Sequence, residues 1–523
     1  AAVDGDQVET LGRASTVLVE VGPGETVEQA VARLEAQPGV VSASPNWVIH
    51  GDAVPNDSRF GELWGLANTG QPVNGVAGVA DADIDATEAW DLTTGSSGIV
   101  VAVIDTGIAY DHPDLAGRIY TNAAEANGAP GVDDDANGFV DDVHGWDFVG
   151  NDNDPRDLNG HGTHTAGTIG AAGNDGAGVT GVAQDVRILP LRILGANNSG
   201  LVADSVKAIN YARAMGARIA SGSYGGGPFT QAEHDAIAAA TGTLFVYSAG
   251  NDGRDNDRPE VSANDRPNYP CAYDPANIVC VAATDQSDGL ASFSNYGATT
   301  VDVAAPGVNV LSDMPAYASL FADDFESGLA KWTTGGTNNT WGTQTVADAT
   351  SPTSVLADSP AGSYVASTNS FVRTAAPINL AGQAGCRLTM QLRIRSQVTS
   401  DGVIVETSTN GTTFSTRTSF SGFTTGGIFR ARSIDLSLHD GQPTVWLGFR
   451  FTSNADGVVD DGVQIDDVSV KCLTSAYAGT EFQFLDGTSM AAPHVSGVAA
   501  LALAFEPTLT PAQLKANLLA AVD

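Results

Sequence analysis

The sequence predicts an α/β fold: a doubly wound parallel sheet, with a small α+β unit ahead of it and an all-β sandwich or jelly-roll domain inserted into it. Three observations lead there. Between about residues 56 and 315, short apolar runs alternate with Ala-rich helical stretches, as buried parallel strands alternate with crossover helices. From about 320 to 475, Thr, Ser and Gly dominate and apolar residues alternate with polar ones over short runs. After Gly487 an Ala-rich helix returns, so the β block interrupts the α/β domain. The expected divisions are 1–55, 56–319, 320–476 and 477–523.

In the first unit, residues 16–21 (TVLVEV) alternate like a strand, 26–37 have helical spacing and 40–49 are extended again. Gly22, Pro23 and Gly24 mark one turn, Pro38 and Gly39 the next. So small a unit buries too little surface to be robust alone, and 50–57 reads as an exposed linker. In the α/β domain, 98–104, 187–191, 218–220 and 243–247 are predicted strands, and 205–215 and 231–240 predicted helices. In the β block, 388–394, 402–406 and 444–451 alternate most clearly. Residues 489–505 form a helix, and Thr510 with Pro511 opens a last one.

The 523 residues carry 61 acids against 24 bases, a formal net charge of −37. Nucleic-acid binding and docking on anionic lipid both rest on Lys and Arg, so both partner classes are excluded. The acids are 47 Asp and only 14 Glu. Asp suits turns, caps and cation sites, which points to loops and calcium; a salt-adapted, solubilising surface is the alternative. No stretch reaches transmembrane length, and 498–505 reads as core. With no starting Met and no leader, a signal peptide is expected to have been removed or left out. A monomer is expected.

Three segments carry chemistry, in the order Asp, His, Ser. Asp105 ends an apolar strand and is followed by Thr106 and Gly107, so its carboxylate can orient an imidazole. His161 lies in NGHGTHTAG, a Gly-flanked entry into a small-residue helix. Ser489 lies in DGTSMAAPHVSG, at a helix N-terminus whose N–H groups and dipole favour an oxyanion. A nucleophilic Ser needs a base in reach and a third group to orient that base.

VAVIDTGI, NGHGTHTAG and DGTSMAAPHVSG resemble the three signature blocks of the subtilisin-like serine peptidases, over roughly 56–315 and 480–523. The resemblance implies a subtilisin-like α/β fold and a secreted endopeptidase cutting proteins and peptides. In it Asp105 orients the imidazole, His161 is general base and then acid, and Ser489 is the nucleophile. VYSAGNDG at 246–253 resembles the oxyanion segment, which makes Asn251 a side-chain donor; losing such a donor typically costs about 100- to 1000-fold in rate. Ser223, Tyr224 and Gly225 match one substrate-pairing edge, and Asn198, Ser199 and Gly200 the other. Ser221 stands where the family usually has Asn, so a local structural change is expected there. His112, His164 and His494 are read as structural. Asp252 beside Asn251 is read as lining the first pocket and favouring basic side chains.

Cation sites follow the Asp excess. Asp133, Asp135 and Asn137 with Gly138 match the first half of a calcium loop, with Asp141 at its ninth position. His144 stands where an EF-hand needs Glu, so a weaker calcium loop and a solvated turn both stay open. Residues 146–159 resemble the calcium loop of thermitase-like subtilases. Asp147, Asp152 and Asp154 match its liganding positions, Asp157 is a nearby candidate, and Gly150 replaces one expected Asp. Asp114 and Asn174 match a further family calcium site.

Residues 1–55 resemble a subtilase prosegment, which implies an intramolecular inhibitor and self-cleavage between about His50 and Asn56. The block at 320–475 resembles MAM-like or carbohydrate-binding jelly rolls, with substrate docking, restricted access or stability as its role. Four cysteines allow three pairings; Cys386 with Cys472 and Cys271 with Cys280 are expected as disulfides of an exported protein. A catalytically weak protein that binds or adheres through its β domain is the alternative function. The chain stops before the closing segment many subtilases have, so a trimmed C-terminus is expected.

Overall fold

A computed structural model describes residues 7–11, 16–22, 24–45, 54–259, 267–424 and 427–522. The chain divides into two compact units, Ala1–Ala53 and Val54–Asp523. In the first, strands Gln7–Leu11 and Thr16–Val19 pair antiparallel, and helix Val27–Glu35 follows. Thr26 caps that helix: its side chain accepts from the Gln29 N–H while Gln29 reaches back, a reciprocal capping box. The strand Gln7–Leu11 was not visible in the sequence. The extended stretch predicted at 40–49 forms no strand over 40–45, where Val41 stands fully exposed with no strand beside it. Residues 46–49 lie outside the described ones.

The second unit is organised by a seven-stranded sheet whose described pairings are all parallel. Its spatial order is Val303–Pro306, Ile278–Thr284, Leu244–Ser248, Ile219–Gly222, Val100–Asp105, Arg187–Arg192 and Trp146–Asp147. Successive residues of a strand face opposite ways. Val101 and Val103 therefore join one core, with Ile169 of helix His161–Gly170 and Ala492 of helix Thr488–Phe505. Ala102 and Ile104 join the other, with Ile209 of helix Val202–Ala214 and Ile237 of helix Gln231–Ala239. Both faces are covered, which is why the strands read as continuous apolar runs. The strand order reverses at Val100–Asp105, and a crevice opens beyond the carboxyl end of such a strand.

Helix Thr488–Phe505 corrects one expectation: it is long and apolar enough to cross a membrane by length and composition. Yet 72% of it is buried inside the protein, the position of a core helix.

The chain leaves the α/β domain through strand Val310–Asp313 and returns through Phe482–Leu485, which pair antiparallel. This two-stranded stem sets the insertion's ends side by side, so a large module leaves the parallel sheet undisturbed. Beyond the stem two antiparallel sheets stack as a sandwich. Leu388, Met390, Leu392 and Ile394 point inward from strand Arg387–Arg395 and meet Val372, Val403, Phe449 and Phe451 of the other sheet. The first strand, Tyr317–Asp323, begins ahead of the expected boundary at 320, because it pairs with the long strand Gly462–Leu473. Disulfides join Cys386 to Cys472 and Cys271 to Cys280.

Candidate active site

Asp105 is the last residue of the strand at the sheet's reversal point and is almost wholly buried. Its Oδ1 accepts from the Thr106 N–H at 2.6 Å and faces His161 Nδ1 at 2.7 Å. With Nδ1 carrying the proton, the other ring nitrogen, Nε2, keeps its lone pair. Burial pulls the His161 imidazole down, but the charge and hydrogen bond of Asp105, and more weakly Asp157, lift it above its ordinary value.

His161 opens helix His161–Gly170, and small residues let that helix close on the strand end. A Cβ at Gly162 would stand 2.1 Å from the Gly107 carbonyl oxygen, so only glycine fits. Asp157 pins the same turn. It accepts from the Thr106 hydroxyl, the Asn159, Gly160 and Thr163 N–H groups and the Thr163 hydroxyl, at 2.6–2.9 Å.

Helix Thr488–Phe505 packs against the His161 helix and carries Ser489 in its first turn. The Ser489 hydroxyl donates to the Ser223 carbonyl at 3.2 Å, and the Ser223 hydroxyl donates to the Ser489 carbonyl at 2.9 Å. Among the described contacts the Ser489 hydroxyl does not reach His161. Catalytic hydrogen bonds are often loose without substrate and tighten in the complex. Asn251 follows the strand Leu244–Ser248, and its Oδ1 accepts from the Thr488 N–H and hydroxyl, both at 2.9 Å. That bonding fixes which end of the amide is which, and leaves the Nδ2 hydrogens as free donors.

Ser489, Asn251, Asn198–Gly200 and Ser223–Gly225 all line one cavity of about 480 Å3. The predicted nucleophile, oxyanion donor and both substrate edges are thus gathered in one place. At the odd position, the Ser221 hydroxyl accepts from Ser496 of helix Thr488–Phe505 at 2.9 Å, a polar tie inside the core.

Residues 96–360 and 390–522 match the sequence profile of the subtilase family. The chain belongs to the subtilase family. Residues 1–46 of this subtilase match the fervidolysin N-terminal prodomain. It is 38% identical over 289 residues to a thermophilic serine proteinase of Bacillus sp. (strain AK1), covering 55% of this chain and 59% of that one. It is 39% identical over 241 residues to thermitase of Thermoactinomyces vulgaris, covering 45% and 73%. An extracellular protease of Xanthomonas campestris pv. campestris is 34% identical over 306 residues, covering 55% and 48%. The matched part thus spans about half to three quarters of these relatives' lengths.

The three histidines read as structural, His112, His164 and His494, are buried and bonded to backbone groups. His164 Nε2 donates to the carbonyls of Val310 and Gln483, one on each strand of the stem, and burial pushes its pKa down to about 3. His494 donates to the Met490 carbonyl and is pushed down to about 4 by burial. His112 caps a short helix by accepting from the Asp114 N–H, and burial brings it to about 4.

The acidic residues assemble differently from their sequence order. Glu125, Asp135 and Asp142 bring carboxylate oxygens within 4.8 Å of one another, an all-oxygen donor set that suits calcium. Of the predicted loop ligands only Asp135 belongs to this group. Asp133 instead accepts from the Asn137 and Gly138 N–H groups, Asp141 from the Gly131 N–H, and Asn137 donates to Asp135 and Asp142. In the thermitase-like loop, Asp147 and Asp152 face each other across Gly150. A Cβ at Gly150 would stand 2.7 Å from an oxygen of each, so a larger residue there would have to push those two carboxylates aside. Asp147 already pairs with Arg192, and Asp154 accepts from the Tyr110 hydroxyl. Asp157 has five protein donors for its two oxygens, against three each for Glu125, Asp135 and Asp142, so it has the least capacity left for an ion. The family site at Asp114 and Asn174 also gathers Asp57, whose carboxylate accepts from the Asn174 N–H. Burial raises Asp114 to about 6, with the charges of Asp175 and Asp57 adding to the rise. Next to it, both oxygens of the fully buried Asp313 lack a hydrogen-bond partner. Asp57 and Asp114 accept backbone N–H groups, so the carboxylate short of donors is Asp313, which together with Asp114 and His112 brings possible ligand atoms within 4.8 Å of one another.

Sequence reasoning missed Asp57, Glu125, Asp142 and Asp313, and also Arg387. Arg387 extends from the β module, stacks over Tyr317 at 3.8 Å and donates to the Asn159 carbonyl at 2.9 Å, two residues before His161.

Proposed function

We propose that this subtilase is a secreted serine endopeptidase, made as a precursor that removes its own N-terminal unit. The observation that carries the reading is the 2.7 Å pair between His161 and the buried Asp105, next to a helix that presents Ser489 and anchors Asn251. A polypeptide lies extended between 198–200 and 223–225. His161 Nε2 takes the Ser489 proton as Oγ attacks the scissile carbonyl carbon, and Asp105 stabilises the imidazolium that forms. The new oxyanion is held by the Ser489 N–H and Asn251 Nδ2. His161 then protonates the leaving amine, and water repeats the sequence on the acyl-enzyme. Casein hydrolysis abolished by a serine-directed inhibitor is the expected result; hydrolysis that survives complete labelling of Ser489 overturns the reading.

The prosegment reading rests on the prodomain match over 1–46 and on the division of the chain after Ala53. Cleavage then falls between about His50 and Asn56, and the released unit serves as the intramolecular inhibitor. Secretion draws support from the two disulfides and from a relative named as an extracellular protease. The inserted module braces the catalytic turn through Arg387, which favours a stabilising role over substrate docking. The alternative of an inactive adhesive protein has less to stand on, because the Asp105–His161 pair and the Asn251 network are complete.

Calcium is the structural cation of this reading, held by Glu125, Asp135 and Asp142 and, at the second site, by Asp114 and Asp313 with Asp57 and Asn174 beside them. Bound there, it neutralises the clustered carboxylates and ties their loops together. A ligand present at a hundredfold over its Kd stabilises by about 2.7 kcal/mol. EDTA is therefore expected to lower the melting temperature by several degrees, with recovery on adding calcium. An unchanged melt in EDTA removes calcium from the account.

A further inference from the structure

The cavity holding Ser489 is lined at another part by Val202, Ser205, Tyr224 and Glu233. Glu233 lies in the first turn of helix Gln231–Ala239 and is only 3% exposed. Its Oε1 accepts from the Ser205 hydroxyl at 2.5 Å, and its Oε2 from the Tyr273 hydroxyl at 3.0 Å. Ser205 in turn bonds the Tyr224 hydroxyl at 2.7 Å. All these partners are neutral, and no Lys, Arg or His side chain among the described residues pairs with Glu233. A buried carboxylate without a counter-charge is costly, and that cost falls when a cation is delivered to it. Here the carboxylate faces a cavity that also contains one of the edges along which an extended polypeptide lies.

We propose that Glu233, with Ser205 and Tyr224, forms a subsite that holds a lysine or arginine side chain of the bound polypeptide, at a position away from the cleaved bond. The cationic head supplies the missing counter-charge, while its methylene stem lies along Val202 and the Tyr224 ring. An apolar side chain in the same place would strip water from the carboxylate and give nothing back. Asp252, the acid expected to select basic side chains, lines the same cavity but is far less enclosed than Glu233. Its side chain is 62% exposed and already has Arg254 at 4.0 Å. Burial also holds the Glu233 pKa up, against the hydroxyl bonds of Ser205 and Tyr273, which is the strain a bound cation would relieve.

This inference rests on the endopeptidase reading, and one experiment separates the two. The processed enzyme is given fluorogenic peptides that differ only in one lysine, walked through the four positions on each side of the cleaved bond. At one position, not adjacent to that bond, lysine is expected to raise kcat/KM over leucine by about tenfold or more. Acetylating that lysine should return the value to the leucine level, with no change made to the protein. Glu233→Gln, which keeps the shape, should bring the lysine-to-leucine ratio at that position close to one and leave the ratios elsewhere as they were. Cleavage with no position favouring lysine, or a preference that acetylation or Glu233→Gln leaves intact, overturns the subsite. Failure to cleave any peptide overturns the endopeptidase reading instead.

Discussion

Replacing Ser489 with Ala is expected to lower peptide hydrolysis by about a million-fold and to leave the N-terminal unit attached. The loss is large because the triad acts as a unit: without Oγ, His161 has no proton to accept and the Asp105 charge has nothing to stabilise. What survives is the contribution of Asn251 and of substrate binding, about 10³- to 10⁴-fold over water. The fold should not suffer. Among the described residues the Ser489 hydroxyl makes a single 3.2 Å bond, to the Ser223 carbonyl, while its neighbour Thr488 keeps both bonds to Asn251. Kinetics, melting and N-terminal mass analysis on the same sample check all three points. Processing of the Ser489→Ala chain at the native site, with no other peptidase present, overturns self-cleavage. Retained turnover overturns the role of Ser489.

The residues gathered at the cavity were legible in the sequence because each is dictated locally. Asp105 must end a buried strand, His161 needs glycines around it where two backbones nearly touch, and Ser489 needs a helix N-terminus. Short runs of sequence record such demands. The cation sites are different, since their ligands are brought together only by folding. Asp57 bonds the Asn174 backbone from 117 residues away, and nothing near either residue announces the other. Within the Asp-rich loop the alternating acids suggested ligands, but Asp133 and Asp141 satisfy backbone N–H groups, as Asp commonly does in turns. Glu125, which joins Asp135 and Asp142, comes from the short helix Ala123–Ala126 ahead of the loop.

The fold divides in the same way. The parallel strands were visible as apolar runs because both faces are covered. The pairing of Val310–Asp313 with Phe482–Leu485 was not, because each strand is short and its partner lies beyond the whole insertion. That stem ties both ends of the module to the α/β domain, while the module keeps a core of its own. His164, on the catalytic helix, donates to both of its strands, and Arg387 holds the turn before His161 from the module itself. Nothing in the sequence marks Glu233 as buried, because its partners Ser205 and Tyr273 lie 28 and 40 residues away along the chain.

Changing Asp105 to Asn is expected to cost on the order of 10⁴-fold in kcat and, more tellingly, to move the pH dependence. Hydrolysis needs a neutral His161, so the rate falls as pH drops through the His161 pKa. In this structure burial lowers that pKa, and the charge and hydrogen bond of Asp105 more than offset it, leaving the imidazole raised. The acid limb of kcat/KM should therefore lie above the ordinary imidazole value of about 6.5. Removing the carboxylate charge takes away the interaction that raises it while burial remains, so the acid limb of the Asp105→Asn enzyme should shift to lower pH as the maximal rate falls. A residue that only kept the His161 loop in shape would depress the rate without moving the limb in that direction. An unchanged or raised limb, measured on protein whose melting temperature is preserved, overturns the charge-stabilising role of Asp105.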